Sequence, residues 1–345
     1  MSDDIHFELQ AHLDTLRTEK PRRMAFDATT LDEFALWRGE LRRALTEALG
    51  IAGRVPPRHV HAEQIAAIDR GAYTEEKHAL DAGEGVWIPA YILRPKTDPP
   101  YKPVLVFHGH NPSVQFILGN YPDADTAEKM RAVDNNYAQV LAEAGYLVCA
   151  VEQRGFGERV TPQIFGDGES FTSACRHLSF EYLAQGRTLL GERLWDGMLA
   201  ASFLLDRDDI VPDVLACTGN SGGGTTALWL AALDDRTTVI VPGSYFCSFE
   251  VSIHGRWHCE CNYVPGVLDL IEMGDLAAML APRPFCAIQG EQDPIYPIAA
   301  GRAQFETVRR AYTLHEAADR CELVVHPGAH AYNHALSHAF LARWL

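Results

Sequence analysis

The sequence contains no apolar run that approaches the roughly 20 residues needed to span a bilayer. Its N-terminus lacks the basic and apolar segments of a secretory signal, so we expect a cytoplasmic protein with no membrane partner. Basic residues are few, with 30 lysines and arginines against 46 aspartates and glutamates, and the net charge is −16. This charge disfavours nucleic acid and anionic membrane surfaces as partners, so a neutral small molecule fits better as the substrate.

The sequence also lacks the dense cysteine spacing of a disulfide-stabilised secreted domain. Its eight cysteines are scattered along the chain, and we expect them to be mostly reduced and buried. Cys259 and Cys261 are the closest pair, but their C-x-C spacing differs from the C-x-x-C of zinc modules. The sequence therefore predicts no metal site and no cofactor.

The first part of the chain, residues 1–75, is predicted to be a helical extension packed on a catalytic domain of residues 76–345. Thr30 and Glu33 have the form of a capping box. The apolar residues that follow at helical spacing, before Gly50, form one stripe: Phe34, Trp37, Leu41, Leu45 and Leu49. We expect this stripe to pack on the catalytic domain.

From residue 86 onward, short β-rich runs alternate with helical stretches. This alternation is typical of a mostly parallel sheet with helices on both faces, which is the α/β class. One of the helices is predicted to begin at Thr126 and to end at Gly145. The predicted strands are residues 86–93, 104–108, 146–151, 214–217, 239–241, 285–288 and 323–325.

Residues 219–223 read Gly-Asn-Ser-Gly-Gly, a G-x-S-x-G motif between an apolar strand and a helical run. Such a turn exposes a serine above a sheet, and the glycines prevent collisions with neighbouring main chain. Ser221 is therefore the predicted nucleophile, and the N–H of Gly222 is a predicted oxyanion donor. A glycine-rich turn without catalytic function is the alternative, and the flanking strand and helix favour the nucleophile.

A serine nucleophile needs a base, and the base needs an oriented acceptor, in the chain order serine, acid, histidine. Asp293 follows an apolar strand, and His330 follows the next one. These residues are the predicted acid and base. Glu291 is an alternative acid, and the alternative bases are His326, His334 and His338, the last two of which would share a helix face with His330.

The strand at 104–108 ends in His-Gly-His. In a sheet of this kind the following loop supplies the second oxyanion N–H, which we assign to the main chain of His110. His108 is predicted to bridge loops through its ring. Residues 156–190 are predicted to form a small lid-like insertion.

Taken together, these residues make the chain resemble the acetyl xylan esterase and dienelactone hydrolase-like branch of the α/β hydrolases, which includes cephalosporin-C deacetylases. The resemblance extends from about Trp37 to the end, and its further marks are residues 86–95, 152–157, 186–191, Trp195-Asp196 and 281–285. It implies an α/β-hydrolase fold and a Ser221–Asp293–His330 triad. Glu152 replaces a frequent aspartate, and Gly-Ala-His replaces Gly-Gly-His.

The sequence thus predicts a serine hydrolase that cleaves small or sugar-linked short-chain esters, such as acetyl esters, through an acyl-enzyme. A peptidase or amidase of the prolyl-oligopeptidase type is one alternative, and a non-catalytic binding protein on the same fold is another. A third is a metal-dependent hydrolase that uses four residues of one segment: His254, His258, Cys259 and Cys261. Whether the chain forms a homo-oligomer is left open.

Overall fold

The structure is a computed structural model that describes residues 7, 9–18, 21–160 and 173–345. Within them, the strands form one sheet: β1 (Ala62–Asp69), β2 (Tyr73–Asp81), β3 (Trp87–Pro95), β4 (Pro103–Phe107), β5 (Leu147–Val151), β6 (Ala216–Asn220), β7 (Val239–Gly243), β8 (Phe285–Gly290) and β9 (Cys321–His326). Their order across the sheet is β1-β2-β3-β5-β4-β6-β7-β8-β9. In this order, the first four strands, β1, β2, β3 and β5, pair antiparallel with their neighbours. The strands from β5 through β4 to β9 pair parallel. The seven predicted strands are all present.

Helices cover both faces of this sheet. The α-helices of the described residues are α1 (Gln10–Thr18), α2 (Leu31–Leu49), α3 (Ala124–Arg131), α4 (Tyr137–Glu143), α5 (Cys175–Ala184), α6 (Leu189–Leu205), α7 (Gly222–Leu233), α8 (Val267–Leu270), α9 (Met273–Ala278), α10 (Ile298–Leu314) and α11 (His334–Trp344). Helices α2, α6, α7, α9 and α10 enclose one apolar core, and α4 and α11 enclose the other. Across these described segments, no helix is long and apolar enough to cross a membrane.

Helix α2 forms as its sequence predicts. The Thr30 hydroxyl accepts the Glu33 N–H, and the Glu33 carboxylate accepts the Thr30 N–H, so the capping box is complete. Gly50 ends the helix in the left-handed conformation, at a φ of 73°. The five apolar residues of the stripe are buried, and the helix packs against α6 and α7.

Helical structure does not continue to residue 75, and this part of the sequence prediction is wrong. Residues 62–69 and 73–81 form β1 and β2, so a boundary at 75 falls inside a strand of the sheet. Strand β1 is one of the two edge strands and is exposed along most of its length. Because it buries neither face, it carries no apolar alternation that would have identified it. The division into an extension and a catalytic domain stays a prediction.

The helix predicted from Thr126 to Gly145 is two helices. Asp123 caps α3 by accepting the N–H of Thr126 at 2.7 Å, so the cap lies three residues earlier than predicted. The break follows Val133, which is 39% exposed, and Asp134 adopts a φ of 54°. In the predicted lid, residues 161–172 lie outside the described residues. The rest of that segment contains a short 3₁₀ helix, Gly157–Arg159, and helix α5.

The parallel part of the sheet determines where functional side chains meet. Strands β4, β6, β8 and β9 run in the same direction, so the loops after them lie at one edge. In open parallel sheets, ligands bind at this carboxyl edge. His110, Ser221, Asp293 and His330 all lie in these four loops.

Candidate active site

Ser221 lies on a strained turn between β6 and α7. Its φ of 56° and ψ of −120° are unusual for a residue with a side chain. A Cβ on Gly219 would lie 2.5 Å from the carbonyl oxygen of Gly223, and a Cβ on Gly223 would lie 2.0 Å from that of Phe107. Glycine at both positions therefore allows the close packing that holds the serine in this conformation.

The two predicted oxyanion donors flank this serine. Gly222 is the first residue of α7, where main-chain N–H groups have no acceptor within the helix. A Cβ on Gly109 would lie 3.3 Å from the Cβ of Ser221, and one on Gly222 would lie 3.0 Å from Nδ1 of His110. The loop after β4 therefore lies directly against the turn, and the N-terminal end of α7 favours negative charge there.

His330 and Asp293 form a hydrogen-bonded pair at the same edge of the sheet. Nδ1 of His330 lies 2.8 Å from Oδ2 of Asp293, whose side chain is fully buried. The other carboxylate oxygen accepts the N–H groups of Ile295 and Tyr296 at 2.8 and 3.1 Å. The ring of Tyr296 stacks on the imidazole at 5.8 Å between centroids. These contacts fix the carboxylate and the ring, and they satisfy the buried charge.

The alternative acid and bases lie in other surroundings. Glu291 is exposed, whereas Asp293 in the same loop is buried. His326 is buried and accepts the N–H of Gly328 through Nδ1. His334 and His338 belong to α11, while His330 precedes that helix, so the three do not share a helix face.

A buried polar network supports the loops beside the site. The N–H of Gln153 donates to Nε2 of His108 at 3.1 Å, and Oε1 of Glu152 lies 3.0 Å from the same nitrogen. Arg154 forms a bidentate ion pair with Asp196 of α6 at 2.9 and 3.0 Å. His108 therefore bridges the loops after β4 and β5, which fits its predicted structural role.

A cavity of about 690 Å³ contains both Ser221 and His330 in its wall. Its outer wall includes Arg256, Trp257 and His258, and of these three only His258 belongs to the alternative metal set. Trp257 is 87% exposed. Burial lowers the pKa of His258 to about 4, so this imidazole is neutral at physiological pH. The cavity accommodates a small ligand of mixed polarity.

Three thiols and an imidazole lie close together beside this cavity, and His110, Cys175 and Cys259 of this group are in its wall. Sγ of Cys261 lies 3.2 Å from Sγ of Cys259 and 3.3 Å from Nε2 of His110. Cys175, the first residue of α5, completes a group whose ligand atoms lie within 4.8 Å of one another. No spacing rule connects Cys175 or the ring of His110 with Cys259 and Cys261, so the sequence did not indicate that these two residues belong to the group.

The two histidines of the alternative metal set are not part of this group. The ring of His254 packs edge-on against Tyr263, and Nε2 of His258 lies 3.1 Å from the hydroxyl of Tyr296. Among the described residues, the group close enough to share one ion includes neither histidine. Of the alternative metal set, only Cys259 and Cys261 therefore lie in this group.

Comparisons with known proteins support the same fold. No family model matches the chain. The Bacillus subtilis (strain 168) protein "Putative hydrolase YtaP" is 28% identical over 320 residues, which cover 89% of this chain and 100% of that protein. The structure of a putative acetyl xylan esterase from Bacteroides fragilis NCTC 9343 has a TM-score of 0.75 at 19% identity, over 95% of this chain and 84% of that one. A glucuronoyl esterase from Solibacter usitatus has a TM-score of 0.66 at 14% identity, over 93% and 96% of the two chains.

The chain therefore has the α/β-hydrolase fold that the sequence predicted. At these identities, the structural likeness concerns the fold. The chemistry of this chain depends on the residues of its own site.

Proposed function

We propose that the protein is a serine carboxylic-ester hydrolase with Ser221 as nucleophile, His330 as base and Asp293 as the orienting acid. Oγ of Ser221 attacks the acyl carbon while Nε2 of His330 accepts the serine proton. The oxyanion is stabilised by the N–H groups of Gly222 and His110. The imidazolium then donates its proton to the departing alcohol. A water molecule, deprotonated by His330, cleaves the acyl-enzyme and frees the serine.

One observation carries this proposal: a serine on a strained strand-to-helix turn shares a cavity wall with a histidine whose other nitrogen bonds a buried carboxylate. A glycine-rich turn alone would not require such a histidine. A histidine–carboxylate pair alone would not require a serine at φ 56°. Their combination at the carboxyl edge of a parallel sheet is the arrangement that acyl transfer needs.

The names of similar proteins support the ester class and suggest the alcohol. They include an acetyl xylan esterase and glucuronoyl esterases, which act on sugar-linked esters, and a hydrolase. In this chain, Trp257 is 87% exposed in the outer wall of the cavity, beside Arg256. An exposed indole ring with a neighbouring cation suits an alcohol that has an apolar face and several hydroxyls. A short acyl group on a sugar is therefore the proposed substrate class.

The test is an activity panel of p-nitrophenyl esters of increasing chain length, acetylated sugars and peptide amides. We expect acetyl esters to be hydrolysed fastest and Ser221→Ala to lose at least about 10³-fold in kcat, with an unchanged circular dichroism spectrum. Ser337→Ala is the matched control, because this buried serine lies in α11 and does not line the cavity. Near-normal turnover by Ser221→Ala would refute the nucleophile, and preferential cleavage of amides would favour the peptidase alternative.

The sugar part of the proposal has its own test. Trp257→Ala should raise KM for acetylated sugars and leave that for p-nitrophenyl acetate nearly unchanged, because only the larger alcohol reaches the indole. An equal effect on both substrates would refute a role in recognising the alcohol.

We also propose a cytoplasmic location. All eight cysteines lie within the described residues and form no disulfide, which suits a reducing compartment. Fractionation of the native cells, with detection by antibody, tests this part.

A further inference from the structure

The thiol cluster beside the active site has the composition of a metal site. It is defined by His110, Cys175, Cys259 and Cys261, and its four candidate ligand atoms are one imidazole nitrogen and three sulfurs. Three cysteines and one histidine are a donor set of structural zinc sites. Soft thiolate ligands also select zinc over magnesium or calcium.

The distances within the cluster agree with a common tetrahedral centre. Zinc–sulfur bonds of about 2.3 Å and zinc–nitrogen bonds of about 2.0 Å place sulfurs about 3.8 Å apart and sulfur and nitrogen about 3.5 Å apart. The distances from Sγ of Cys261 are 3.2 Å to Cys259 and 3.3 Å to the ring of His110, and all four atoms lie within 4.8 Å. The Cys259–Cys261 distance would have to lengthen by about 0.6 Å and the longest distance to shorten by up to about 1 Å, which small side-chain rotations can supply.

The charge around the cluster favours thiolates. The guanidinium of Arg193 is buried, and it donates to Sγ of Cys175 at 3.1 Å and to the carbonyl oxygen of Arg154 at 2.7 Å. A buried cation normally needs a negative partner. A zinc ion with three thiolates and a neutral imidazole carries one negative charge, which this guanidinium balances.

We propose that His110, Cys175, Cys259 and Cys261 bind one zinc ion in a structural site that holds the wall of the catalytic cavity together. The ligands come from three separate segments: the loop after β4, the first residue of α5, and the loop that contains the 3₁₀ helix Glu260–Asn262. His110 and Cys261 are 151 positions apart in the sequence. One ion would thus join chain segments that no disulfide connects.

The ion would act on the site through position, because four protein ligands leave no open place for substrate or water. The ring of His110 would be held by the metal, and its main-chain N–H is the second proposed oxyanion donor. Zinc binding would therefore support the orientation of that N–H group. The ester chemistry itself does not pass through the metal, so the zinc proposal and the esterase proposal can fail independently.

The experiment is a metal analysis of the full-length protein, purified under reducing conditions without chelator and reconstituted with zinc. We expect about one zinc per chain by mass spectrometry of the elements. Cys175→Ser and Cys261→Ser should each lose most of it. Cys321→Ser is the matched control, since this cysteine is also buried but lies at the start of β9, and it should retain the metal. His258→Asn should retain it as well.

A second measurement uses the wild-type protein, so that a folding defect in a variant does not decide the result. Replacement of zinc by cobalt should give the intense visible absorption of a tetrahedral ion and a near-ultraviolet thiolate charge-transfer band. Three outcomes would overturn the proposal: no bound metal in the reduced and reconstituted protein, retention of zinc by both ligand variants, or a cobalt spectrum without thiolate bands. A Cys259–Cys261 disulfide in protein purified under reducing conditions would also overturn it.

Discussion

Replacement of Asp293 by asparagine changes one atom and should nearly abolish ester hydrolysis. In the structure, one carboxylate oxygen accepts the main-chain N–H groups of Ile295 and Tyr296, and the other faces Nδ1 of His330. An asparagine keeps the loop contacts only if its carbonyl oxygen takes the first position. Its NH₂ group then points at Nδ1, which has to accept a hydrogen bond instead of donating one.

This reversal places the imidazole proton on Nε2, the nitrogen that must accept the proton of Ser221. The base is then present but in the wrong tautomer, and the imidazolium formed during attack loses its neighbouring charge. Comparable changes in other triads lower kcat by about 10⁴-fold. That factor corresponds to about 5.5 kcal/mol in transition-state stabilisation. The fold should persist, because the variant has the same size and keeps its contacts with the loop.

The assay is the initial rate of p-nitrophenyl acetate hydrolysis over a range of substrate concentrations, which separates kcat from KM. We expect the loss in kcat, with KM nearly unchanged, since Asp293 does not line the cavity. Glu291→Gln is the matched control, because this exposed carboxylate lies in the same loop, and its activity should be close to that of the wild type. If Asp293→Asn retained activity within tenfold of the wild type, or if Glu291→Gln lost it, the acid would be wrongly assigned.

Further predictions concern the base, the elbow and the pH dependence of stability. His330→Ala should lower kcat as strongly as loss of the nucleophile, whereas His334→Ala should leave it close to wild type; the reverse result would identify the other histidine as the base. In urea unfolding, Gly223→Ala should destabilise the protein by about 1–3 kcal/mol, because the new Cβ would lie 2.0 Å from the main chain of β4. Gly39→Ala should stabilise it by up to about 1 kcal/mol, because Gly39 is exposed in α2 and no atom lies near the new Cβ. Burial lowers the pKa of His78 below its value in the unfolded chain. As the pH falls below about 6.5, the unfolded chain therefore binds a proton at this histidine more readily than the folded protein does, and the free energy of unfolding decreases. The urea midpoint should therefore fall less between pH 7 and 5 in His78→Gln than in the wild type, and an equal fall in both proteins would contradict this assignment.

Features that depend on neighbouring residues in the sequence could be predicted. The capping box at Thr30, the buried stripe of α2 and the strands β3 to β9 all follow from local patterns of polarity. The turn at Ser221 could be recognised because its geometry requires glycines at fixed offsets. The place of Asp293 in its loop favours it over Glu291 as the acid, and its carboxylate lies buried beside His330.

Features that depend on tertiary contacts could not be predicted. Strand β1 is a polar edge strand, and its pairing with β2 depends on a partner that the local pattern does not reveal. The break between α3 and α4 interrupts an apolar spacing that favours one helix, since Val133 turns to solvent. The thiol cluster forms where three elements meet. They are helix α5, the loop after β4, and the loop that contains the 3₁₀ helix Glu260–Asn262. The separation of Cys175 and Cys259 in the sequence does not indicate that their side chains lie close together.

The serine mechanism requires Ser221 to form a covalent acyl-enzyme, and labelling with a fluorophosphonate probe examines this step. Attack by an activated serine displaces fluoride and leaves a stable phosphonyl ester on its oxygen. Intact-mass analysis followed by peptide mapping should show one phosphonyl group per chain, located on Ser221, with esterase activity lost in proportion to labelling. Absence of the adduct in protein that still hydrolyses p-nitrophenyl acetate, or equal labelling of the Ser221→Ala variant, would contradict the account.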